Sequence, residues 1–232
     1  FSQSGTAFPS VNYFRSDLPR EKQLKRHRNF KSFEEQIFSS VKDGDIFFLN
    51  LRYLYHFGED WYEYPVKSFR FYGENDQVEL RNSKKEHFEE WLNALKLFTK
   101  TVAKRNARVI IFTPTPQFPD GTYKRCLGQN DQWFNQMSRK DCSLPIEFFE
   151  SKKGKYSYII RRLKDISSKN DNLYLFNALK VMCPEGNCRY SQNNKKLYID
   201  DDHISNYAAK NILAPALINF MEEKKIITLQ NK

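Results

Sequence analysis

The stretch Ser83 to Phe112, SKKEHFEEWLNALKLFTKTVAKRNARVIIF, decides the fold. It opens on an S-x-x-E capping box, in which the side chains of Ser83 and Glu86 each accept from the other residue's backbone N–H at a helix start. Phe88, Trp91, Leu92, Leu95, Phe98 and Val102 then recur at helical spacing and make one apolar stripe, as a helix packed on a core requires. After a short connection comes Val109 to Phe112, an unbroken apolar run of strand length. Before the helix, Gly44-Asp45 introduces a second such run, Ile46 to Leu51, which reads as a strand buried on both faces. The aromatic-rich Tyr53 to Tyr72 shows no period that assigns it to an element. Strand, long helix and strand in that order make the βαβ unit of a parallel sheet.

Downstream, Thr113-Pro114-Thr115-Pro116 stops the strand, because proline cannot donate to a sheet ladder. Residues 117–150 make a long irregular excursion from the C-terminal end of that strand, where such folds commonly carry function. Tyr156 to Ile166 reads as a helix with Ile159, Ile160, Leu163 and Ile166 inward, and Leu173 to Phe176 as the strand after it. Arg189 to Ser191 and Lys196 to Ile199 can pair as a hairpin across Gln192 to Lys195. Ser205 caps a final helix reaching about Glu222, in which Pro215 predicts a kink. The predicted fold class is α/β, a three-layer α/β/α sandwich with a mostly parallel, flavodoxin-like sheet. It forms a single domain over residues 1–232 with ligands at the C-terminal strand ends.

Apolar residues make up 40% of the chain and charged residues 28%, a balance that excludes wholesale disorder. No stretch approaches the roughly 20 apolar residues of a membrane-spanning helix. Phe1 to Ser10 lacks the basic start and apolar middle of a signal peptide, and with no initiating Met the sequence reads as a fragment of a longer protein. The net charge of +10 admits a nucleic-acid partner, and Arg20 to Lys31 is its densest cluster. None of the usual nucleic-acid motifs is present, so a solvated helical face is favoured and no nucleic-acid partner is expected. Attraction to an anionic polysaccharide or lipid surface is the next choice.

Cys126 with Cys142 and Cys183 with Cys188 stand close in sequence among turn formers, which reads as two local disulfides. In Cys183-Pro-Glu-Gly-Asn-Cys188 the Pro and Gly let the loop turn back and bring its ends within bridging distance. A four-cysteine zinc site is the rival, although its CxxC spacing is absent. Two disulfides place the domain outside the cytoplasm.

The densest polar cluster is Asp200-Asp201-Asp202-His203-Ile204-Ser205, between a short strand and the last helix. Such a run is ordinarily a solvated turn or a cation-binding loop. A turn from Asp200 to His203 also lets the carboxylate accept the Nδ1 proton, leaving Nε2 outward as a general base of the kind a serine nucleophile needs.

Cys183-Pro-Glu-Gly-Asn-Cys188, then Leu197-Tyr-Ile-Asp-Asp-Asp-His-Ile-Ser205 and Ala208-Ala209, resembles the end of the SGNH domains fused to membrane acyltransferases of the acyltransferase-three family. The resemblance implies that Asp200 and His203 are the Asp and His of a D-x-x-H motif completing a Ser-His-Asp triad. Asp45 to Tyr53 is similar to that family's third-block strand. Where general SGNH hydrolases have G-x-N-D, this chain offers Asn50 and Arg52 instead; Arg52 can serve an oxyanion or an acidic substrate, or equally pair with a structural carboxylate. Ser2 to Pro9 is similar to the loop after the second strand, where Gly5 is the counterpart of an oxyanion-hole glycine or a plain turn glycine.

The family's G-D-S block with its nucleophilic serine is absent from all 232 residues and is expected upstream of Phe1. The chain taken alone is expected to be inactive; a degenerate member is the other possibility. The resemblance implies a serine-dependent O-acyltransferase or esterase acting on hydroxyls of envelope glycans, with a glycan acceptor, an acyl donor and a membrane acyltransferase domain on the same polypeptide. It implies a periplasmic or extracytoplasmic position, tethered to the inner membrane, and it calls for no cofactor and no metal. The alternative is a non-catalytic glycan-binding remnant using Trp61, Tyr62, Tyr64, Phe69, Phe71 and Tyr72.

Overall fold

A computed structural model of the chain describes residues 8–9, 13–15, 20–51, 53, 57, 68–72, 77–81, 84–119, 121–122, 126, 142–151, 156–193 and 195–228. In chain order, the elements of its first half are β1 (Tyr13–Arg15), α1 (Arg20–Ser40), β2 (Ile46–Leu49), β3 (Ser68–Tyr72), β4 (Gln77–Arg81), α2 (Lys84–Ala103) and β5 (Arg108–Phe112). Then follow β6 (Ser143–Pro145), α3 (Glu147–Glu150), α4 (Ser157–Ser167), β7 (Leu173–Phe176), α5 (Ala178–Met182), β8 (Asn187–Arg189), β9 (Ser191–Gln192) and β10 (Lys195–Lys196). The chain ends in α6 (Asn206–Ala208), a π-helical turn (Ala209–Leu213) and α7 (Ala214–Glu223). It divides into two compact units, Phe1–Ile111 with Lys164–Tyr174 and Phe112–Leu163 with Leu175–Lys232.

The parallel sheet has the strand order β2-β5-β7. β2 runs parallel to β5, with Ile46 opposite Arg108 and Leu49 opposite Ile111. β7 runs the same way, because Val109 N–H donates to Asn172 O and Thr113 N–H to Phe176 O. The α/β expectation therefore holds. Central β5 is buried from Val109 to Phe112, whereas Phe48 of β2 is 49% exposed. The expectation that this strand is buried on both faces is thus corrected: among the described residues β2 lies at a sheet edge, and only an interior strand is covered all round.

In the first unit the stripe of α2 is the core, with Phe88, Trp91, Leu92, Leu95, Phe98 and Val102 all buried. Trp91 has no exposed surface, stacks on Phe88 with ring centroids 5.8 Å apart, and donates its indole N–H to Phe8 O at 3.0 Å. The helix ends in a turn whose Asn106 adopts a left-handed φ of 52°, a conformation Asn tolerates better than most residues. Asn172 ties the following strand down by donating to the carbonyls of Thr99 and Ala107. Ser83, of the predicted capping box, lies outside the described residues. The segment that sequence left unassigned supplies β3, the middle strand of an antiparallel sheet ordered β1-β3-β4.

The second unit is built on Phe118, Cys126, Met182, Tyr190, Leu197, Tyr198 and Ala208, with Leu144, Ile204, Ile212 and Leu213 packed around them. Cys126 is bonded to Cys142 and Cys183 to Cys188, as their spacing predicts, with Cα separations of 5.8 Å and 4.0 Å. The tight Cys183–Cys188 loop needs left-handed backbone at Glu185 and Gly186, whose φ values are 56° and 75°. A loop this short stabilises by about 2 kcal/mol through restriction of the unfolded chain.

The hairpin is shifted from the prediction: Ser191–Gln192 pairs with Lys195–Lys196 and Leu197 N–H donates to Tyr190 O, while Asn187–Arg189 turns to β6 of the excursion. The last helix starts at Ser205, whose Oγ accepts from Ala208 N–H, and the π-helical turn falls directly before Pro215. Proline has no N–H for the carbonyl one turn back, so the irregularity expected there takes the form of a widened turn.

Candidate active site

The site grows out of the end of the β10 segment. Tyr198 and Ile204 form an antiparallel bridge, and Ile199 N–H donates to His203 O at 2.9 Å, so residues 200–202 must reverse the chain in a tight loop. Three anchors in the second unit fix that loop. Tyr190 Oη donates to Asp200 O at 2.9 Å, Phe118 N–H to Asp201 O at 2.8 Å, and Gly121 N–H to the Asp201 carboxylate at 3.0 Å. Ser205 closes it from the other side by donating to Lys196 O.

Asp200 faces inward across this loop. Its Oδ1 accepts the backbone N–H groups of Asp202 at 3.0 Å and His203 at 2.6 Å, while Oδ2 lies 2.6 Å from His203 Nδ1. A carboxylate can only accept, so this contact keeps a proton on Nδ1 and leaves Nε2 as the basic nitrogen of the neutral ring. The imidazole side chain is 50% exposed. Partial burial pushes the Asp200 carboxyl up, but the backbone donors of Asp202 and His203 and the imidazole together outweigh it and hold the group below its ordinary value. Asp200 is therefore ionised wherever a general base would operate.

Because its folded value is depressed, Asp200 adds stability that is complete above the ordinary carboxylate range, near pH 4, and is lost as pH falls through the lower folded value. The expected result is that Asp200→Asn flattens the acid limb of the chain's stability profile, measured by urea unfolding from pH 6 downwards. An unchanged acid limb would remove this contribution.

A second carboxylate oxygen, Asp202 Oδ1, lies 3.0 Å from the same Nδ1. One ligand atom from each of Asp200, Asp202 and His203 falls within 4.8 Å of the others. The Asp200 oxygen is already engaged by the imidazole, and the arrangement carries no metal assignment.

Of the other predicted site residues, Asn50 directly follows β2, is exposed, and belongs to the first unit. Gly5 and Arg52 lie outside the described residues, as do Trp61, Tyr62 and Tyr64; the backbone of Phe69, Phe71 and Tyr72 lies in β3. The basic cluster begins α1, where Lys25 and Arg28 are exposed. Sequence reasoning missed Asp202 as a partner of the ring and Asp201 and Tyr190 as anchors. The signal for the two acids was the run of three itself, and nothing local marks Tyr190.

Residues 1–217 match the family model described as an SGNH domain fused to AT3 domains. The chain belongs to this family. Its SGNH fold accounts for the parallel sheet flanked in sequence by helices, and the family's fusion to AT3 domains agrees with the expected membrane acyltransferase partner. No curated protein matches the chain. Among solved structures this SGNH domain is similar to the periplasmic domain of a lipopolysaccharide acetyltransferase from Salmonella ser. Paratyphi A. Identity is 14% and the TM-score 0.47, over 87% of this chain and 64% of that one. It is also similar to a putative platelet activating factor from Streptococcus pneumonia, with 13% identity and a TM-score of 0.42 over 87% of this chain and 95% of that one. This SGNH domain thus spans less than two thirds of the Salmonella chain's length. Its two disulfides point to an oxidising, extracytoplasmic compartment. Among the described residues no helix is long and apolar enough to cross a membrane.

Proposed function

We propose that this SGNH domain carries the base of a serine-dependent acyl transfer, or ester hydrolysis, on hydroxyl groups of envelope glycans. The observation that carries the reading is the 2.6 Å contact between Asp200 Oδ2 and His203 Nδ1, with Nε2 on an exposed ring. Nε2 takes the proton of a serine hydroxyl as Oγ bonds to the acyl carbon, and the resulting imidazolium returns that proton to the departing group. In the second half a sugar hydroxyl, or water, gives its proton to Nε2 and attacks the acyl carbon, and the serine Oγ leaves with a proton. Asp200 holds the ring in the tautomer that both halves need.

The serine is assigned to a G-D-S block preceding Phe1 on the same polypeptide, on a strand and helix. The exposed Phe48 on β2 supports such an addition, because an apolar strand at the edge of a parallel sheet is a place for a further strand and covering helix. Gly5, Asn50 and Arg52 are assigned to the oxyanion and substrate. Family membership supports a membrane acyltransferase domain on the same chain, which would present the acyl donor and tether the domain on the periplasmic side. The test is turnover of p-nitrophenyl acetate by the complete polypeptide and by its His203→Ala variant.

A further inference from the structure

The geometry points to Asp202 as a second positioning residue for His203, its carboxylate standing with that of Asp200 beside Nδ1. This inference deepens the proposed base and rests on it for its catalytic meaning. Consecutive residues of an extended chain direct their side chains to opposite sides, so Asp202 would ordinarily turn away from the ring that follows it. The loop between Tyr198 and Ile204 instead brings its Oδ1 to 3.0 Å from Nδ1. The two acceptors differ in setting: the Asp200 side chain is 41% exposed, whereas that of Asp202 is 14% exposed. Asp200 also commits its other oxygen to two backbone donors.

Two carboxylates beside one N–H repel each other while the ring is neutral, and both attract it once it is charged. The ring becomes an imidazolium after accepting the serine proton, so a second carboxylate favours the charge that develops during the reaction over the resting state. The anchors on Asp201 hold the loop in this shape without using either of the two acids.

The experiment reads the imidazole directly and needs no turnover, so its failure is separate from failure of the acyl-transfer reading. The ¹⁵N shifts of His203 are measured in mildly alkaline buffer, with the ring uncharged, in the unaltered chain, Asp200→Asn, Asp202→Asn and the double variant. Far-UV circular dichroism verifies that each is folded. Asp200→Asn is expected to keep a larger Nδ1–H fraction than the double variant, because the Asp202 carboxylate still stands beside Nδ1 and favours a proton there. The same tautomer ratio in the single and double variants, whichever ratio it is, overturns the proposal. Should the double variant fail to fold, exchange of the Nδ1 proton with solvent decides: Asp202→Asn alone is expected to speed it several-fold, and an unchanged rate overturns the proposal.

Discussion

His203→Ala is expected to lower kcat for an activated ester by a factor on the order of 10⁴ to 10⁶ in the complete polypeptide, with KM nearly unchanged. The effect is large because in the proposed mechanism the ring is the single acceptor for the serine proton in acylation and the single donor to each departing oxygen, and members of such a set act as a unit. The fold is expected to survive, since the imidazole is half exposed and the loop is held by the backbone N–H groups of Phe118 and Gly121 and the hydroxyl of Tyr190. Matching circular dichroism spectra for the two proteins, together with the collapse in kcat, is the expected pair of results. Loss of less than tenfold would mean that another group serves as base.

The largest effect on stability is expected at Trp91. The indole is fully buried, meets Tyr53 and Phe57 at centroid distances of 5.8 Å and 5.6 Å, stacks on Phe88, and donates to Phe8 O. Trp91→Ala removes that packing, leaves a cavity, and removes the donor to Phe8 O. The expected cost is about 3–5 kcal/mol, measured by urea unfolding followed by far-UV circular dichroism. Trp91→Phe keeps most of the volume and loses only the donor, for an expected cost of about 1–2 kcal/mol. Equal small losses in both variants would show that α2 is not the anchor of its unit.

The same helix shows what was legible in the sequence. Phe88 to Val102 is a local pattern, and periodicity alone identifies its buried face without knowledge of the partner. Val109 to Phe112 was equally plain. Ile46 to Leu49 looked alike, yet composition cannot distinguish an interior strand from one at an edge, and Phe48 is the result. The β1-β3-β4 sheet went unread although Phe69-Arg70-Phe71 and Val78-Glu79-Leu80 alternate, because its strands have only three to five residues and its pairing joins Tyr13 to Arg70 across long intervening sequence.

At the site the same rule applies. Asp200 and His203 are three residues apart, so a turn is sufficient to join them, and spacing plus family resemblance pointed to the pair. The roles within Asp200-Asp201-Asp202 were not legible, since adjacent identical side chains are separated only by loop geometry. Asp201 is aimed at Gly121, and Asp202 at the imidazole, by contacts with Phe118 and Tyr190 that lie far away in sequence.

The central claim, that His203 activates a serine brought by the rest of the polypeptide, is tested most directly by covalent labelling with a fluorophosphonate. Such a probe reacts with a serine only when a neighbouring base makes it nucleophilic. Peptide mapping of the complete polypeptide should find one labelled serine, preceding Phe1, and the label should vanish in His203→Ala. A labelled serine within residues 1–232, or labelling that survives His203→Ala undiminished, would contradict the account.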